Sequence, residues 1–358
     1  MRAPGLTTVL GIVNVGVMIV AAVALLVLPF GGEEQGAPPV ARSTPVTPSP
    51  APSATASPAT PESARKVRAN ELGQIPVIMY HRILKKRLAS IDRTPAQLRK
   101  ELERLATHGY VPITAAEFTA GAIDLPAGAH PVVLTFDDGH SSHFALDAAG
   151  VPKKDTAVGV IYEVAARHPG FRPVATFWVN KNPFGLTHRD GQAAAVRWLV
   201  DRGFEVANHT WGHPDLRRLS KKRVVEAIGR QERLLRGLGA PDSATFALPY
   251  GSVPKKRAAA RSGTWKDLHY RFRAVFLAGA EPAVSPYAKT YDPFYIPRIQ
   301  SNGKKGECRK WCSQYWLQWL DRHPDQRYTS DGDPTHVSMP RRVQGKIQAK
   351  LRGVKIVY

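Results

Sequence analysis

The chain has 358 residues, a 43% apolar fraction and a formal charge of +21. It is long enough for one large domain or two ordinary ones with a substantial core, and its two cysteines are too few for a four-thiolate zinc site. The positive charge is dispersed, which reads as a solvated basic surface, and no nucleic-acid partner is expected.

At the N-terminus, residues 6–30 hold only Thr7, Thr8 and Asn14 as polar side chains and carry no charge. A helix of roughly 22 residues crosses the roughly 30 Å hydrocarbon layer. Residues 1–30 are therefore predicted to be a transmembrane anchor, or else a signal segment cut after Ala22 and Ala24. Either way the remainder is exported, and Arg2 ahead of the run points to a cytoplasmic N-terminus. The expected place is the cell membrane, with the folded part extracytoplasmic, or the medium if the segment is cut. Residues 31–66 are rich in Pro, Ser, Thr and Ala, cannot bury enough apolar area to offset their ordering entropy, and are predicted to be an extended tether.

Residues 67–305 form the predicted main domain. Short β-rich runs at 76–80, 131–136, 175–179, 204–208, 245–248, 274–277 and 295–299 alternate with helical patterns, which indicates an α/β fold. Thr94 and Pro95 open a helix whose Leu98, Leu102 and Leu105 share one face before Gly109 closes it. A second helix starts near Ser220, carries Val224, Ile228 and Leu235 inward, and stops at Gly239. The segment 152–171 is expected to add a helix near the rim. This alternation suits a closed barrel and an open doubly wound sheet equally, and both place active sites at the C-terminal ends of strands.

Residues 306–358 are read as a C-terminal helix and a basic tail. Trp311, Tyr315, Trp316 and Trp319 fall near one helical face, for which packing is preferred over sugar stacking. Cys308 and Cys312 are either a local disulfide or a pair of thiols. The last eighteen residues carry Arg341, Arg342, Lys346, Lys350, Arg352 and Lys355 with no acid, a stretch able to touch an anionic wall polymer.

Three polar clusters follow apolar strands: Asp137-Asp138-Gly139, Asn208-His209-Thr210-Trp211-Gly212-His213 and Pro249-Tyr250-Gly251. Two histidines four apart can present both rings on one side of a turn. One carboxylate from another strand tip then completes three ligands for a divalent metal with positions left for water and substrate. Asp138, His209 and His213 fit that description. Successive side chains on a strand diverge, so Asp137 cannot readily share the ion and is free to act as a base.

These residues resemble the polysaccharide deacetylase family, carbohydrate esterase family 4, with its NodB-homology domain. The likeness rests on Thr135-Phe136-Asp137-Asp138-Gly139, His209-Thr210-Trp211-Gly212-His213 and Pro249-Tyr250-Gly251 and spans roughly residues 75–300. Pro76-Val77-Ile78-Met79-Tyr80-His81 is similar to the exported poly-N-acetylglucosamine deacetylase branch. The resemblance implies an irregular (β/α)7 barrel and metal-dependent removal of acetyl groups from an N-acetylated polysaccharide. It also implies one divalent metal, zinc in the first place with cobalt, nickel or manganese as alternatives, on Asp138, His209 and His213, with Asp137 as base. It gives the Tyr250 backbone N–H as oxyanion donor, Pro249, Tyr250 and His140 as substrate contacts, and Thr210 as a support behind the histidines.

The chain departs from the family pattern in two places. Many relatives open the third motif with an arginine that orients the base, where this chain has Ala247; Arg298 is expected to replace it. The family's late Leu-x-His motif is not recognisable, so the general acid stays open, with His81, His140 and water on the metal as candidates. A rival function is a catalytically impaired carbohydrate-binding or wall-organising protein.

Overall fold

The last turn before the domain shows how local chemistry overrides composition. The computed structural model describes residues 58–358, so the predicted anchor and residues 31–57 of the predicted tether lie outside it. Among the described residues no helix is long and apolar enough to cross a membrane. The end of the expected tether is not extended. Pro61–Lys66 is a short helix, α1, because the Thr60 hydroxyl accepts from the Ser63 N–H and the Ser63 hydroxyl accepts from the Thr60 N–H. Pro61 supplies the first turn and Ala64 is buried.

The main sheet is built from short parallel strands: β1 (Val77–Tyr80), β2 (Tyr110–Ile113), β3 (His130–Asp138), β4 (Thr176–Val179), β5 (Glu205–Asn208) and β6 (Thr245–Ala247). An antiparallel hairpin, β7 (Ser262–Trp265) and β8 (Leu268–Arg271), precedes two further strands of that sheet, β9 (Ala274–Phe276) and β10 (Ile299–Gln300). The order is β10-β1-β3-β4-β5-β6-β9, with β2 beside β3. All these pairs are parallel, and the strands are buried on both faces, as a covered sheet requires. A bridge from Phe276 to Ile296 and the pairing of Ile299 with Ile78 carry hydrogen bonding from β9 toward β1, and the sheet curves into a half-barrel. Pro297 has no N–H to give, which splits the single strand expected at 295–299.

Side chains alternate between two environments. Val77, Val133, Trp178, Ala207, Ala247 and Phe276, one from each successive strand, share the inner cluster. Their neighbours Ile78, Leu134, Phe177 and Val206 face the covering helices. Those helices are α2 (Pro95–Thr107), α3 (Ala115–Ala120), α4 (Ala157–Arg167), α5 (Arg189–Val200) and α6 (Lys221–Gly237). As expected, α2 begins at Thr94 with a capping box and Pro at its start, and α6 begins at Ser220. The helix expected near the rim is instead a regular wall helix. In α4, Val158, Ile161 and Val164 recur at helical spacing and bury against the sheet, and Glu163 pairs with Arg99 of α2 at 2.8 Å.

The C-terminal segment folds back on the domain. Cys308 and Cys312 form a disulfide. The next helix, α7 (Ser313–Arg322), packs through Leu317 and Leu320, leaving Tyr315, Trp316 and Trp319 half-buried and Trp311 exposed. After it, β11 (Val337–Met339) pairs with β12 (Lys355–Val357), which lies within the basic tail. The Tyr358 hydroxyl donates to Ala69 O at 2.8 Å, and Ala59 N donates to Asp333 Oδ2 at 3.0 Å.

Glu71 locks this junction, accepting from Ser338 N at 2.8 Å and from the Tyr328 hydroxyl at 3.1 Å. Burial, then the charge of Asp331, pushes its carboxyl up to about 8. The folded state therefore holds this proton more tightly than the unfolded chain, whose glutamate titrates near 4.5. Stability from this site is full below that value and is lost as pH rises toward 8. Urea titrations of wild type should show stability falling across that window, and Glu71→Gln should flatten the fall.

Candidate metal centre and active site

Strand periodicity delivers the first carboxylate. Val133, Thr135 and Asp137 alternate with the outward Leu134 and Phe136, so Asp137 points into the half-barrel at the C-terminal end of β3. The chain then turns sharply. Asp138 has φ 76° and Gly139 φ 63°, and a Cβ on Gly139 would meet Val179 Cγ1 at 2.9 Å. This turn rotates Asp138 away from the strand repeat and toward the loop after β5.

That loop is bent with comparable force. Thr210 and His213 have φ values of 69° and 52°, a conformation that L residues adopt only when surroundings compel it. Here the Thr210 N–H donates to Asn208 Oδ1 at 2.8 Å and the His213 N–H to Thr210 Oγ1 at 3.1 Å. Asn208 is itself fixed by bonds from its Nδ2 to Ile228 O and Glu232 Oε2, and Asn180 Nδ2 donates to the carbonyls of His209 and Thr210. Sequence reading missed Asn180, Asn208 and Glu232 as supports, because isolated polar residues carry no periodic signal. The one available clue was their position at strand ends and on the covering helix.

The structure brings the three expected ligands together. Asp138 Oδ1 lies 3.6 Å from His209 Nε2 and 3.4 Å from His213 Nε2, and the three ligand atoms are all within 4.8 Å of one another. Bonds of about 2.1 Å arranged tetrahedrally separate ligand atoms by about 3.4 Å, so this donor set fits a divalent cation. His209 Nδ1 lies 2.8 Å from Ala247 O, an acceptor only, which puts the ring proton on Nδ1 and leaves Nε2 free to ligate. Burial holds the His209 ring below its ordinary value, against the pull of Asp137 and Asp138, and so in the neutral form that ligates.

Asp137 has a different partner. Arg298, fully buried, places Nη1 2.7 Å from Asp137 Oδ1 and Nη2 2.7 Å from Oδ2, while its Nε donates to Leu277 O at 2.6 Å. The guanidinium lies 5.0 Å from the Trp178 ring centroid. Burial alone would push the Asp137 carboxyl up. The Arg298 charge, followed by that of His209, holds it well below the usual carboxylate range. Ala247, buried in the inner cluster, leaves room for this fork to arrive from the other side.

The remaining expected residues surround the mouth. His81 is half-buried just after β1, with Nδ1 buried and unpaired among the described residues. His140 Nδ1 is 2.9 Å from Ser142 Oγ, and burial, with Arg82, lowers its ring pKa. Pro249 is buried, whereas Tyr250, at φ 57°, is 69% exposed, and its ring lies edge-on to that of His213 with the centroids 4.4 Å apart.

Residues 124–264 match the family model described as polysaccharide deacetylase. A chitooligosaccharide deacetylase from Sinorhizobium fredii is 32% identical over 140 residues, 39% of this chain and 50% of that protein. One from a Bradyrhizobium species is 31% identical over 127 residues, 36% of this chain and 47% of that protein. The chain thus spans about half the length of the curated relatives it matches. Among solved structures, IcaB from Ammonifex degensii aligns with a TM-score of 0.46 at 20% identity, over 65% of this chain and 93% of that one. The family-model match contains Asp137, Asp138, His209, His213 and Tyr250, but His81 and Arg298 lie beyond it.

Removing one member of a buried ion pair strands the other, typically at a loss of about 3–5 kcal/mol. Arg298→Ala should lower the free energy of unfolding, read from urea titrations, by an amount in that range. The double variant Arg298→Met with Asp137→Asn should recover most of the loss, a result read from the double-mutant cycle.

Proposed function

Taking the polysaccharide deacetylase match over residues 124–264 as premise, we propose that this protein hydrolyses the N-acetyl group of N-acetylglucosamine-type residues in a cell-wall or extracellular polysaccharide, releasing acetate. One observation carries the reading: an ionised carboxylate, Asp137, stands beside the Asp138, His209 and His213 donors, with its Oδ2 3.9 Å from His209 Nε2. A pure binding protein needs no proton acceptor beside a metal-donor set, which disfavours the wall-organising alternative. In this reading the seven strands running from β10 to β9 are the staves of an irregular (β/α)7 barrel, with β2 beside β3 outside that path.

Asp138, His209 and His213 would hold one divalent cation, for which we take zinc. Such a cation supplies Lewis acidity, polarising the acetamide carbonyl and making water a better acid. Asp137 takes the proton of the attacking water. The Arg298 fork keeps this carboxylate ionised and fixes its orientation, so that it can accept. Attack converts the planar carbonyl to a tetrahedral carbon bearing an oxyanion, and the Tyr250 N–H is assigned as its donor. Collapse expels the sugar amine, which needs a proton; His81 and His140, whose charges bear on Asp137 and Asp138, are the candidates. Pro249 and the exposed Tyr250 ring offer a surface for the sugar. Thr210 acts at one remove, holding the bend that aims His213.

We further place the protein at the cell membrane with this domain outside, on the strength of the uncharged run at 6–30. Secretion follows instead if that segment is cut.

The test is acetate release by the full-length protein from N-acetylglucosamine oligomers and from peptidoglycan. Chelator should abolish release and added zinc restore it. Asp137→Asn should lose about 10²–10⁴-fold in rate while retaining metal by elemental analysis. Equal release by that variant and wild type would remove Asp137 as base. His213→Ala should lose both metal and activity, and retention of full metal content would remove it as a ligand.

A further inference from the structure

Away from the mouth, the outer wall carries a groove of about 570 Å³ between α5 and α6. Its sides are set with arginines, Arg189 and Arg197 from α5 and Arg230 and Arg233 from α6, and Trp211 and Trp265 also line it. Asp190 is the one carboxylate among the lining residues. The floor is formed by Leu234, Gly237 and Leu238, where the absent glycine side chain deepens the channel.

The arginines are arranged, not merely concentrated. Arg230 lies 4.5 Å from the Trp211 ring centroid and Arg233 4.9 Å from that of Trp265. Stacking on an indole fixes the guanidinium plane and leaves N–H groups along its edge for a ligand. Arg233 is also paired with the exposed Asp267, and Arg230 is 4.0 Å from Glu226. Arg197 has no ion pair among the described residues, and Arg189 makes only a 3.3 Å bond to Gln192 Oε1. Arg189 and Arg197 are two turns apart on α5, about 12 Å along its axis. Like charges lining one concavity repel one another unless an anion lies between them.

We propose that this groove binds a linear polymer carrying repeated oxyanions, phosphate or carboxylate, at a site distinct from the candidate active site. Forked guanidinium edges match the paired oxygens of either group, and the separation along α5 suits several repeats in place of a single ion. Trp211 lines the groove and also belongs to the loop that carries His209 and His213, so a bound chain would touch the same loop that holds the donors. The site stands on its own geometry and does not depend on deacetylation.

Binding can be read from tryptophan fluorescence of the full-length protein titrated with long-chain polyphosphate, with polygalacturonate, and with neutral N-acetylglucosamine oligomers. The anionic polymers should bind in a salt-sensitive manner. Arg189→Glu with Arg197→Glu should weaken binding about tenfold or more, whereas Lys153→Glu with Lys154→Glu, both exposed in the loop before α4, should leave it unchanged. A milder pair, Arg189→Gln with Arg197→Gln, serves if the reversed charges impair folding, which circular dichroism would reveal. Loss for polyphosphate alone marks a phosphate site, loss for polygalacturonate alone a carboxylate site, and loss for both the shared oxyanion chemistry. Unchanged binding by the groove variants, or an equal loss in the Lys153 and Lys154 variant, would overturn the proposal.

Discussion

The interior of this half-barrel is organised by one buried ion pair, the fork of Arg298 onto Asp137. An unpaired carboxylate among Val133, Trp178 and Phe276 would take up a proton or draw in water. With both its oxygens engaged at 2.7 Å, it stays charged in a closed interior. The same arginine holds Leu277 O and lies against Trp178, so strands from opposite ends of the chain depend on its position. Ala247 belongs to the same arrangement: a larger side chain there would occupy the inner face beside the fork.

Around that pair the chain is forced into unfavourable backbone conformations, and these are concentrated. Among the described residues, Asp138, Thr210, His213 and Tyr250 belong to a short set of non-glycine positions at positive φ, and all four surround the mouth. Each such residue costs of order 1–3 kcal/mol unless its neighbours compensate. In the histidine loop, Asn180, Asn208 and Glu232 provide that compensation through a linked set of hydrogen bonds. The cation-sized gap between Asp138, His209 and His213 is thus held by a polar scaffold behind the ligands, before any ion contributes.

The legible parts of the sequence were those with a repeating or paired signal. Thr94-Pro95 and Ser220 mark the starts of α2 and α6 through capping chemistry, and apolar runs mark the buried parallel strands. Two histidines four apart and an aspartate at a strand tip announced the donor set, and the need of Asp137 for a positive neighbour pointed to Arg298. What stayed hidden lacks periodicity. The strand β2 is short and contains Pro112, the hairpin β7–β8 alternates exposed with partly buried residues, and the clamp on the histidine loop comes from single polar side chains. The wall helix α4 was legible in its Val158, Ile161 and Val164 spacing, but its position in the layer depended on which strands it joined.

The closing of the C-terminal segment onto residues 58–71 has a consequence for how the domain can be approached. Parallel strands have two unlike poles. Ala59 bonds Asp333, Tyr358 bonds Ala69, and both contacts precede β1, at the pole opposite the strand tips that carry the histidines. Both ends of the described chain therefore lie at the rear of the domain, which leaves the front, where the histidines stand, clear for a large ligand.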